Sequence, residues 1–217
     1  MTKLFFIRHG KTKWNLEGRY QGARGDSPLL EQSYHEIELL AAYLQKYQFA
    51  KIYSSPLKRA LTTAKQLAKK LNQPVKIEVD QAFCEFNLGK MEGMKFTEVE
   101  RLYPEIVDAF RNHPEKYDPT EIEGETFQEL FERMTPKIEE ICRRYPTQNI
   151  LIVSHGAALC AEIRYLQGVS LEKLRAKGGL VNTSTTILET KDGQSFKCLA
   201  WNQTDYLNKQ LDSSDMV

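Results

Sequence analysis

At 217 residues, with 41% hydrophobic and 27% charged side chains, the chain has the size and composition of one ordinary globular domain, not of a fibrous or disordered protein. Lys and Arg number 30 against 29 Asp and Glu, and a net charge of +1 argues against nucleic acid or a membrane surface as partner. No apolar run approaches the roughly 18 residues of a membrane span, and Met1 to Ile7 is too short for a secretory leader, so a cytoplasmic location is expected.

The first strand is Leu4-Phe5-Phe6-Ile7, four apolar residues that read as buried on both faces and that end in Arg8-His9-Gly10. Residues at the carboxyl ends of such strands face the crevice where α/β proteins bind ligands. Residues 10–30 follow as a polar loop of about twenty residues, a length that implies function. Thr12, Asn15, Arg19, Gln21, Gly22 and Arg24 make it a binding loop. Ser33 to Glu36 reads as a capping box for a helix with Ile37, Leu40, Ala41, Leu44 and Tyr47 on its apolar stripe. Lys51 to Ser54 is a short strand, and Ser55 then caps a helix with Pro56 at its first position. Arg59 lies off that helix's apolar stripe and near its amino end, where a cation is unfavourable unless an anion is shared.

Val75 to Val79 is a third strand, and Glu85 comes next among Phe83, Cys84, Phe86 and Leu88. Apolar surroundings raise a carboxyl pKa, as a proton donor requires; a side chain that reaches solvent is the competing reading. Residues 90–125 form an inserted, Pro-punctuated flap with a capping box and helix from Thr97. Thr126 to Glu129 starts a long helix that Pro136 should kink. A second apolar strand, residues 149–153, ends in Ser154-His155-Gly156, and Gly156 opens a helix whose free N–H groups favour anions. The last two strands, Thr185 to Thr190 and Ser195 to Trp201, pair across an Asp192-Gly193 turn. The polar tail from Asp205 is expected to fray.

Charge is uneven along this order. Residues 1–70 carry 13 Lys/Arg against 5 Asp/Glu, whereas residues 85–125 carry 5 against 11, suggesting a basic floor under an acidic flap. Cys84, Cys142, Cys160 and Cys198 lie far apart with no ligand spacing, which reads as free thiols and no metal.

If the two apolar strands are neighbours, His9 and His155 meet above one sheet edge. With Arg8, Arg59 and a helix amino end they describe a pocket for a tetrahedral dianion, because guanidinium forks match phosphate oxygens. A neutral His is a nucleophile for a phosphoryl group, and Glu85 can supply the leaving group's proton. Zinc is the competing use of two His and a Glu, but neighbouring Arg side chains repel a divalent cation.

The ordered set of segments resembles the histidine phosphatase (phosphoglycerate mutase-like) superfamily over roughly residues 3–207. The segments are Leu4 to Thr12 with Asn15, Arg19, Gln21 and Gly22; Ser54 to Ala60; Glu85 to Gly89 with Glu92-Gly93; Gly124-Glu125-Thr126; Ser154-His155-Gly156; and Asn202-Gln203-Thr204. The resemblance implies an α/β sandwich, with a mostly parallel sheet between helices on both faces and the flap inserted in a single domain. It implies His9 as phosphorylated nucleophile, Glu85 as proton donor, Arg8, Arg59 and His155 as the phosphate pocket, and Asn15 as a further contact. Thr12, Gln21, Gly22 and Gly156 follow as substrate-binding positions. Three residues, Ala23-Arg24-Gly25, separate Gly22 from Asp26 where the family usually has two, which alters the substrate loop and not the pocket.

The expected activity is a metal-independent, cofactor-free phosphomonoesterase acting on a small phosphorylated metabolite. A cofactor-dependent phosphoglycerate mutase is the alternative; such mutases resemble longer chains with an Arg pair in the insertion, where this chain has Arg111 alone. A non-catalytic binding protein on the same scaffold is the third reading, and the five retained catalytic positions speak against it.

Overall fold

The computed structural model describes residues 1–215. Its strands are β1 (Thr2–Arg8), β2 (Phe49–Ser54), β3 (Ile77–Val79), β4 (Asn149–Ser154), β5 (Thr185–Thr190) and β6 (Phe196–Gln203). They form one sheet in the order β3-β2-β4-β1-β5-β6. The first four run parallel, whereas β5 and β6 are antiparallel at one edge. Four apolar residues in succession on β1 are explained by this position. Leu4 and Phe6 face one layer, Phe5 and Ile7 the other, and none is more than 1% exposed.

One layer holds α2 (Glu31–Leu44) and α3 (Lys58–Lys70), whose Ile37, Leu40, Leu44, Ala60, Ala64 and Leu67 pack on Phe5, Ile7 and Val153. The opposite layer holds α6 (Phe127–Arg144) and α7 (Gly156–Leu166) against Leu4, Phe6, Ile150 and Ile152. Burying each Leu, Ile or Phe of these faces contributes about 1.5–3 kcal/mol, so the two apolar layers fix the sheet order against the entropy of ordering the chain. The expected three-layer sandwich is the observed architecture. The flap consists of α4 (Phe96–Leu102) and α5 (Pro104–Asn112), which anchor on the α6 side through Val99, Val107 and Phe110.

Several expected boundaries shift for identifiable reasons. The loop after β1 contains a four-residue helix, α1 (Lys13–Leu16), capped by the Thr12 hydroxyl. Ser33 does not cap α2, which starts two residues earlier; its buried hydroxyl donates to the Lys11 carbonyl at 2.8 Å. Likewise α3 begins after Ser55 and Pro56, with Leu57 as N-cap. Lys95, not Thr97, precedes the first turn of α4. Thr126 and Glu129 do form the expected capping box on α6. That helix runs unbroken through Pro136, which lies on its exposed side, where solvent can satisfy the carbonyl left without a donor. The tail does not fray over residues 208–215. It returns to the sheet, and Asp215 is only 1% exposed. No helix among the described residues is long and apolar enough to cross a membrane.

Candidate active site

Strands β1 and β4 are neighbours, with Arg8 paired in register to Ser154. His9 and His155 therefore leave adjacent strand ends together, and their rings meet edge to face with centroids 5.2 Å apart. Both are buried, at 3% and 0% exposed. Burial, followed by the charge of Arg59, pushes the pKa of each well below the ordinary imidazole value. Both imidazoles are thus neutral. His9 Nδ1 lies 2.8 Å from the Gly10 carbonyl, which can only accept. Nδ1 must carry the proton, and the Nε2 lone pair is left free.

His155 is held through its other nitrogen. Nε2 sits 2.8 Å from Ser55 Oγ, and that hydroxyl accepts from the Leu57 N–H at 3.3 Å. The Ser55 hydroxyl can either donate to Nε2 or accept from it, and the opposite nitrogen, Nδ1, is buried with no partner.

The guanidiniums are oriented by the backbone. Arg8 Nη1 donates to the carbonyls of Leu180 and Asp215, and Arg59 uses both terminal nitrogens on Gly22 and Gly25 carbonyls and on Asp26. In each case Nε is buried without a partner. Burial lowers Arg8 to about 10 and Arg59 in the same direction, and both stay charged near neutrality. Arg8 Nε, Arg59 Nε and His155 Nδ1 are thus three buried, unpartnered nitrogens close to the neutral His9, and each unmet polar atom of this kind costs about 1–3 kcal/mol until a partner arrives.

Glu85 is not in an apolar niche. Its carboxylate sits at the amino end of α7, accepting from the N–H groups of Ala157 and Ala158 at 3.0 and 2.7 Å and from Phe86 at 2.9 Å. The helix end expected to receive an anion is thus occupied by this carboxyl group. Arg133 of α6 fastens this loop by donating to the carbonyls of Ala82, Cys84 and Glu85, and is itself paired with Glu125 at 2.6 Å.

Arg8, His9, Glu85 and Gly156 line a cavity of about 430 Å³, together with Asn15 and Gln21. Asn15 spends its Oδ1 on the Thr12 N–H and hydroxyl, which leaves its amide NH₂ for the cavity. Thr12 and Gly22, expected to contact substrate, do not line the cavity, and neither do the buried Arg59 and His155; Arg59 borders a separate pocket with Asp26 and Lys58. Thr12 is fully buried as the α1 cap and accepts from Gln21 at 2.6 Å. The Gly22 carbonyl holds Arg59, and a Cβ there would run into the Glu92 carboxylate and the Phe86 carbonyl. Glu92 accepts from the N–H groups of Arg24 and Gly25, so it shapes the extra residue of this loop.

The flap does not present an acidic face to the cavity. It contributes Phe96, Phe110, Arg111 and Asn112, and Glu85 is the one carboxylate on the wall among the described residues. Glu100 is spent on Arg111 at 2.6 Å. Arg19 and Arg175 complete a ring of guanidiniums, with Arg175 over the Phe110 face at 5.5 Å. Ser55, Arg133, Arg175 and Asn182 are not marked as site residues by the sequence, and of these only Ser55, at a cap position, carries a local signal. Among the described residues no three His, Cys, Asp or Glu side chains converge as a metal site would need.

The model for the histidine phosphatase superfamily (branch 1) matches residues 4–204, and the chain belongs to that superfamily. It is 36% identical over 179 residues to phosphoserine phosphatase 1 of Hydrogenobacter thermophilus, covering 82% of each chain. It is 28% identical over 208 residues to phosphoglycerate mutase-like protein 4 of Arabidopsis thaliana, covering 95% of this chain and 87% of that one. Among solved structures, Bacillus stearothermophilus YhfR superposes with a TM-score of 0.88 at 31% identity, over 96% of this chain and all of that one.

Proposed function

We propose that the protein is a metal-independent phosphomonoesterase that works through a phosphohistidine on His9. The observation that carries this reading is the trio of buried, unpartnered nitrogens of Arg8, Arg59 and His155 close to an imidazole whose Nε2 is free. The phosphoryl group of a small metabolite docks on these nitrogens and on the Asn15 amide. His9 Nε2 attacks phosphorus while the bond to the leaving oxygen breaks, and Glu85, having taken the proton of the monoanionic phosphate ester, passes it to that oxygen. Water then attacks the phosphohistidine, yields a proton to the Glu85 carboxylate and releases orthophosphate. Charge developing on the transferred group is met by two guanidiniums that the backbone has already oriented. Cys84, Cys142, Cys160 and Cys198 are all unpaired, which fits a reducing, cytoplasmic compartment.

The leaving group separates the roles. Replacing Glu85 by Gln should slow hydrolysis of an alkyl phosphate on the order of 100-fold but that of p-nitrophenyl phosphate much less, since nitrophenolate departs without a proton. Equal losses on both substrates would remove Glu85 as acid. Phosphatase is favoured over mutase because a single flap arginine, Arg111, reaches the cavity and is already paired with Glu100. Incubation of 3-phosphoglycerate with bisphosphoglycerate should release orthophosphate; rapid formation of the 2-isomer would reverse that order.

A further inference from the structure

We propose that residues 209–215 are a positioning strap for Arg8, holding its guanidinium where the phosphoryl group binds. This rests on the phosphatase reading above and adds an element to it. The backbone carbonyl of Asp215 accepts from Arg8 Nη1 at 2.9 Å and from the Asn182 N–H at 3.0 Å. Asn182 in turn donates from its side chain to the His9 carbonyl at 3.1 Å, and the Thr183 N–H donates to the Arg8 carbonyl at 3.1 Å. One carbonyl of the tail thus ties the Arg8 side chain to the loop that holds the backbone of Arg8 and His9.

The side chain of Asp215 keeps that carbonyl in place. Its Oδ1 pairs with Lys11 at 3.1 Å and with Lys209 at 2.9 Å, and Oδ2 accepts from the Asp212 N–H at 3.0 Å. Lys209 is anchored on Glu36 of α2 at 2.7 Å, and the Lys11 side chain is only 3% exposed. Asp215 and Lys11 are shielded from solvent, so salt screens their pair weakly, and removing the Asp215 carboxylate leaves Lys11 with only the exposed Asp212 and Lys209 with only Glu36.

The geometry matters because a guanidinium has two usable edges. With Nη1 spent on the Leu180 and Asp215 carbonyls, the Nε–Nη2 edge remains for a bidentate grip on phosphate. Without the strap Nη1 loses one acceptor, and the plane of the guanidinium is no longer fixed. The role belongs to positioning, since Asp215 touches no reacting atom.

The test uses the full chain and orthophosphate as probe, measured as a competitive inhibitor of p-nitrophenyl phosphate hydrolysis. In Asp215→Ala, Ki for orthophosphate and KM should rise together about tenfold, while kcat changes less than about threefold. Gln210→Ala, at an exposed strap position that makes none of these contacts, should match the unmodified chain. A variant with residues 212–217 deleted should reproduce the Asp215→Ala shift, which guards against a local packing defect at one residue. Unchanged Ki in both variants overturns the strap. So does a fall in kcat and in thermal midpoint at constant Ki, which marks a merely structural tail. A full-length chain that binds no orthophosphate overturns the phosphatase reading itself, and the strap's role with it.

Discussion

His9 donates from Nδ1 to a carbonyl and is kept neutral by burial and by Arg59, which sets how the enzyme should respond to pH. A neutral base with a depressed pKa stays active as pH falls through the ordinary imidazole value of 6.5 and fails only below it. The acid limb of kcat/KM is therefore expected below pH 6.5; a limb centred there or higher would mean an unperturbed imidazole. Arg59 grips Gly22, Gly25 and Asp26 through two nitrogens, a geometry that Lys cannot copy. Arg59→Lys should cost on the order of 100-fold in kcat/KM, as removal of a preorganised charge does. At this scale residue types were legible and roles only partly so. Arg8, His9 and His155 stand at the carboxyl ends of buried strands and Arg59 in a helix's first turn, the positions from which an α/β protein meets a ligand. Thr12 and Gly22 carry the same kind of signal, yet Thr12 holds Asn15 and Gln21, which face the cavity, and Gly22 holds Arg59. A sequence does not distinguish a group that touches from a group that orients.

Between elements, the competition for polar partners explains where local reading failed. Ser33 and Ser55 stand where caps are expected, but both are buried, and each finds a tertiary partner in Lys11 or His155. Thr126, on an exposed stretch, has no such rival and caps α6 as its sequence implies. Glu162 shows the same packing pressure from the other side. It projects from α7 onto Thr135 of α6 at 2.8 Å, and burial raises its carboxyl to about 8. A group whose folded pKa is raised stabilises the protein below its unfolded value of 4.5 and loses that contribution as pH climbs toward 8. The thermal midpoint should thus decline from mildly acid pH to pH 8, and Glu162→Gln should flatten that decline. A variant whose profile parallels the parent's would mean that another group governs it.

For the whole molecule, the legible part was topology and the illegible part was return. Apolar runs on β1 and β4, each closed by a His-Gly, imply buried parallel neighbours, and that pairing brings the two imidazoles together. Nothing local marks Arg175, Asn182 or Asp215 as residues that come back to the same place. Their partners are more than 160 positions away in the case of Asn182 and Asp215, and only the folded chain brings them to Arg8 and His9. The flap shows the same limit, because net charge along a segment does not say which face meets the cavity.

The most direct measurement is acid and base stability of the phosphoryl label on enzyme quenched during turnover. The label should be lost in mild acid, survive alkali as a phosphoramidate does, and be absent from His9→Gln, whose turnover should fall roughly 10⁴-fold. A label that survives acid, or that persists in His9→Gln, would contradict a phosphorylated His9.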